Sequence, residues 1–130
     1  MMKNPVNWFE IYVSDMKRAR KFYEQVLKIE LEKLEMPGEM DDVNTFQMLT
    51  FPLVQDEPNS SGALVKAEGV EPGGNSVIIY FTCEDCSTEE GRVEKAGGKV
   101  LKNKFSIGPF GFVAICMDTE GNTFGLHSMN

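Results

Sequence analysis

Ile11-Tyr12-Val13-Ser14-Asp15-Met16-Lys17-Arg18-Ala19-Arg20-Lys21-Phe22-Tyr23-Glu24 is the stretch that decides the fold. Its first residues close an alternating run over 8–13, rich in aromatic and branched side chains, which is the pattern of a half-buried strand. Ser14-Asp15 then offers a helix cap, because a short carboxylate accepts the orphan N–H groups of a first turn. Beyond the cap, Met16, Ala19, Phe22, Tyr23, Val26 and Leu27 recur on one stripe. Lys17, Arg18, Arg20, Lys21, Glu24 and Gln25 occupy the opposite, solvated face. This spacing predicts an amphipathic helix over 16–29.

Outward from that unit, alternation predicts strands over 30–35, 45–51 and 62–66. A polar loop is expected over 36–42 and a proline-bearing connection over 52–61. Gly69, Pro72, Gly73, Gly74 and Asn75 crowd into a linker over 69–75. The order then starts again: a strand over 77–83, a helix over 85–96 weakened by Gly91, and strands over 99–105, 110–117 and 123–128. Asp118-Thr119-Glu120-Gly121-Asn122 reads as a tight turn before the last strand. Asp15 and Asp85 stand 70 positions apart, as do Leu31 and Leu101, so the halves match in pattern though hardly in residues. The expected fold is α+β: one domain over 1–130, built from two βαβββ modules at about 5–68 and 76–130. With a helix on one face of each sheet, two modules side by side would form a curved mixed sheet with a concave ligand cup.

The composition is that of an ordinary globular chain of 130 residues, with 42% hydrophobic and 25% charged side chains. No run approaches the ~20 apolar residues of a membrane span. Twenty acidic against thirteen basic side chains leave a net charge of -7, which makes nucleic acid and anionic membrane poor partners. No apolar run follows the N-terminus, and the cysteine count, three, is odd. Reduced thiols in a cytoplasmic protein are expected. Cys83-Glu84-Asp85-Cys86 has the spacing of a redox pair or half a zinc site. We read it instead as a strand end followed by a helix start, since His127 is the only histidine and a zinc site needs further ligands.

The stretch quoted above resembles the first strand and helix of the vicinal oxygen chelate superfamily, which includes glyoxalase I, extradiol dioxygenases and bleomycin-resistance proteins. Glu94-Lys95-Ala96-Gly97-Gly98-Lys99-Val100 is similar to the end of its second helix, and Asp118-Thr119-Glu120-Gly121-Asn122 to its last hairpin turn. The resemblance implies a homodimer and a small-molecule ligand. It also implies four metal-ligand positions, which fall here on Trp8, Ala63, Val77 or Ile78, and Gly125. None of these side chains binds a divalent cation, so no metal and no cofactor is expected.

Alternation sets Trp8, Glu10 and Tyr12 on one face of the first strand, and the resemblance turns that face toward the cup. Tyr80 and His127 join them if the halves pair as in the family. Either Phe46 and Met48 or Gln47 and Leu49 face the cup. Trp8, Tyr12 and Tyr80 are candidate ligand-binding residues. Glu10, a carboxylate in an aromatic strand, and His127 are the candidate catalytic acid-base pair. Equally, the two could form a structural hydrogen-bonded pair or hold a ligand without chemistry, or Glu10 could simply meet water at a sheet edge. The favoured function is binding of a small organic ligand in a metal-free cup. The alternative is a lyase, isomerase or dioxygenase-like enzyme with an unconventional metal site at Glu10 and His127.

Overall fold

In the computed structural model, which describes residues 4–33 and 45–130, the first helix forms where the apolar stripe predicts it. Strand β1 (Phe9–Tyr12) leads into α1 (Met16–Leu27), and the Asp15 carboxylate accepts from the Arg18 N–H as its cap. Met16, Ala19, Phe22, Tyr23 and Val26 are all buried. Lys28 adopts a left-handed φ of 55° and ends the helix two residues before the expected boundary. Three strands complete the module: β2 (Glu32–Lys33), β3 (Phe46–Thr50) and β4 (Gly62–Ala67). The end of the strand expected over 30–35 and the loop over 36–42 lie outside the described residues.

The second module repeats the order with β5 (Ile79–Thr82), α2 (Cys86–Val93), β6 (Lys99–Ser106), β7 (Phe112–Met117) and β8 (Thr123–Ser128). Asp85 caps α2 through the Ser87 N–H, as Asp15 caps α1. This helix is shorter than its sequence pattern predicts. The chain turns away after Val93, and Gly97 supplies a φ of 102° that side chains rarely adopt. Strand β7 starts two residues later than expected because Gly108–Phe110 form a 3-10 turn.

Each module makes its own mixed sheet, in the orders β1-β4-β3-β2 and β5-β8-β7-β6. The outer pairs β1–β4 and β5–β8 are parallel and the remaining ladders antiparallel. Both β1 and β5 are edge strands, and among the described residues no ladder joins the two sheets. They meet instead through side chains. Phe9 and Phe51 from the first module pack on Phe81 at ring-centroid distances of 6.1 and 5.6 Å. Tyr23 of α1 touches Phe51, Phe81 and Phe124 within 5.8 Å. One apolar cluster therefore runs through both modules. Gly62 makes room for it, because a Cβ there would overlap the Phe9 ring and carbonyl.

The modules are also tied by polar contacts at the turn between β7 and β8. The Glu120 side chain is wholly buried. Its Oε1 accepts from the backbone N–H of Ser14 and Asp15, each at 3.0 Å, and its carboxylate takes the Arg18 guanidinium at 2.7 Å. Beside it, Asp118 accepts the Tyr23 hydroxyl at 2.6 Å, and the Asn122 amide donates to the Tyr12 carbonyl at 2.8 Å. A turn in the second module thus caps the strand-helix junction of the first.

Two outcomes test this packing. Burial works against the Glu120 charge, but the Arg18 guanidinium and the Asp15 and Ser14 N–H groups outweigh it and hold the carboxyl at about 2, below its usual 4.5. Because the folded value is depressed, Glu120 stabilises the fold fully above about pH 4.5 and loses that contribution as the pH falls through about 2. Asp118 has the opposite sign, since burial raises it, so part of the loss is offset on acidification. Glu120→Gln is expected to lower the unfolding free energy by about 1–2 kcal/mol at pH 7, the exposed Arg18 partner being screened by water, and to flatten its decline below pH 4.5, read by urea titration at several pH values. Gly62→Ala is expected to cost about 1–3 kcal/mol in the same assay, through displacement of Phe9.

Candidate functional site

Packing decides which way each strand faces. Ile11 and Val13 are buried in the core, so Trp8, Glu10 and Tyr12 point to the open face of the first sheet. Leu49 packs on the core, which leaves Phe46 and Met48 on that open face and resolves the choice between the two pairs. In the second sheet Ile79, Phe81, Phe124 and Leu126 point inward. Ile78, Tyr80, Thr82, Gly125 and His127 therefore share its open face.

The first strand assembles a compact polar group. Glu10 Oε2 accepts from the Trp8 indole N–H at 3.2 Å, and Oε1 accepts from the Tyr12 hydroxyl at 2.9 Å. That hydrogen bond, together with partial burial and the Glu10 charge, raises the Tyr12 phenol above its ordinary range. Glu10 itself is exposed. Trp8 retains 38% of its surface.

His127 and Tyr80 belong to a different neighbourhood. The His127 Nε2 lies 2.7 Å from the Phe110 carbonyl. Tyr80 stands beside Gly125 in register, and its ring occupies the space a Cβ at Gly125 would need. Glu10 and His127 thus have separate hydrogen-bond partners. Trp8, Glu10 and Tyr12 are brought together; Tyr80 and His127 are set on the other sheet.

Sequence reading missed a cavity of about 230 Å³ at the seam between modules. Glu10, Ile11 and Tyr12 of β1 line it together with residues 70–73 of the linker, Asn75 and Val77. Tyr23, Ile79 and residues 122–124 complete the lining. The linker is held there by the Gly73 N–H, which donates to Asn122 Oδ1 at 2.7 Å, and by Asn75, which exchanges hydrogen bonds with the Thr123 backbone. A Gly-Pro-rich linker signalled only a loop, and its partners lie some fifty residues away in sequence, so no local pattern marked the wall.

The family's metal does not fit these residues. The Trp8 indole nitrogen is a donor already given to Glu10, Ala63 is fully buried with no donor atom, and Gly125 lies under the Tyr80 ring. Among the described residues no three His, Cys, Asp or Glu side chains gather closely enough to hold an ion. The cysteines lie elsewhere: Cys83 follows β5, Cys86 opens α2 and all three are buried, free thiols. Burial, reinforced by Glu89 at Cys83 and Glu90 at Cys116, pushes both of those thiols up to about 12.

The family model for the Glyoxalase/Bleomycin resistance protein/Dioxygenase superfamily matches residues 6–126. A glyoxylase-like domain-containing protein of Didymella fabae is 28% identical over 130 residues, spanning 97% of this chain and 94% of its own. Among solved structures, glyoxalase I from Zea mays is similar with a TM-score of 0.73 at 22% identity, over 96% of this chain and 46% of that one. TnmS3, an antibiotic binding protein from Streptomyces sp. CB03234, is similar with a TM-score of 0.69 at 23% identity, over 98% of both chains. No helix among the described residues is long and apolar enough to cross a membrane.

The thiol environment has a direct readout. At pH 8 a disulfide reagent such as DTNB is expected to modify the folded protein at less than about a tenth of the rate seen in denaturant.

Proposed function

The chain belongs to the Glyoxalase/Bleomycin resistance protein/Dioxygenase superfamily, and on that premise we propose that it binds a small, partly apolar organic ligand without a metal. One observation carries this reading: the Glu10 carboxylate, fixed by Trp8 and Tyr12, stands at the wall of a cavity otherwise lined largely by apolar and aromatic groups. A few placed polar groups in an apolar concavity are what small-molecule sites require. Trp8 and Tyr12 supply flat surface for the ligand, and Tyr80 offers the same on the second sheet. Glu10 orients the ligand, and His127 serves the second sheet's face. In this reading the protein works as a cytoplasmic homodimer.

Likeness to an antibiotic binding protein of nearly equal length supports a binding role. The unsuitable residues at the metal positions weigh against the chemistry of glyoxalase I.

Trp8 is the only tryptophan and hydrogen-bonds to Glu10, so its fluorescence reports on the site. In a titration with a panel of neutral and charged small aromatics, at least one compound is expected to give a saturable change in Trp8 emission and a rise in Tm. Both effects should persist in EDTA. Silence across the whole panel, or binding abolished by chelation, would count against the proposal.

A further inference from the structure

Two glutamates line the seam cavity. Glu10 enters from β1 and Glu71 from the linker, and no Lys, Arg or His is among its described lining residues. Neither carboxylate takes part in an ion pair among the described residues. Around them the walls are apolar and aromatic, with Ile11, Val77, Ile79 and Phe124 beside the Tyr12 and Tyr23 rings.

Several donors of the lining are already committed to protein acceptors. The Tyr12 hydroxyl donates to Glu10 and the Tyr23 hydroxyl to Asp118. The Asn122 amide donates to the Tyr12 carbonyl and to Asp118, and the Gly73 N–H donates to Asn122. The only formal charge its described lining residues carry is negative, beside aromatic faces and hydrocarbon. Like charges near an apolar wall raise each other's energy, and a cation between them relieves it. Aromatic faces add attraction for the same sign of charge.

We propose that this cavity selects small organic cations. A protonated amine or quaternary ammonium would lie between Glu10 and Glu71, with its hydrocarbon body against Ile79 and Phe124. The inference rests on the binding role above and specifies its ligand class. A bare divalent ion suits the site less well, because the apolar wall cannot replace its hydration shell with oxygen ligands.

Three probes of one shape separate charge from hydrophobicity: benzylamine, benzyl alcohol and benzoate, titrated by calorimetry at pH 7. Benzylamine is expected to bind about tenfold tighter than benzyl alcohol, and benzoate weakest. Glu71→Gln should bring benzylamine within about threefold of benzyl alcohol. Glu57→Gln, the same charge change on an exposed loop outside the cavity, should preserve the ranking. Equal affinity for all three probes, benzoate binding first, no effect of Glu71→Gln, or displacement of benzylamine by micromolar calcium would each overturn the proposal. If none of the three binds while a compound of the earlier panel does, cation selection fails and the binding role stands. If nothing binds in either experiment, both fail.

Discussion

The structure depends on one buried carboxylate. Glu120 takes the two backbone N–H groups that open α1 and the Arg18 guanidinium, and it reaches them from a turn more than a hundred residues later. An ionised group out of water is tolerated only when its oxygens are fully used, and here they are. The arrangement needs the helix start and the hairpin turn to lie within hydrogen-bond distance. Once they do, the relation between the two sheets is constrained at that corner. The aromatic cluster around Tyr23 constrains it again in the interior.

That corner also shapes the cavity. Asn122 follows Glu120 by two residues, and its side chain has two tasks. The amide nitrogen holds the Tyr12 carbonyl, and the oxygen accepts from the linker at Gly73. The turn that docks the modules therefore also fixes the strand carrying Glu10 and the linker carrying Glu71. The cavity and the structural joint share residues, so a ligand of the proposed kind would stabilise the fold as it binds.

Much of the fold was legible because its signals are local. The stripe from Met16 to Val26, the Asp15 cap and the restart after the Gly-Pro linker each depend on neighbours in sequence, and each is realised. Boundaries moved where a backbone conformation intervened, at Lys28, Gly97 and the turn before β7. In the site, alternation along β1 placed Trp8, Glu10 and Tyr12 on one face correctly, since strand geometry forces it. It could not show that both neighbours hydrogen-bond to Glu10, or that the carboxylate stays open to water.

The amino-acid order by itself determined two helices, the first with its cap, the strands around them and the repeat of the pattern. These follow from periodicity and side-chain chemistry. Tertiary structure decided that Glu120 is a buried joint rather than a turn residue, that His127 keeps company with Phe110 rather than Glu10, and that a flexible-looking linker walls a cavity. The reason is contact between residues far apart in the chain, for which a single sequence carries no period and no spacing.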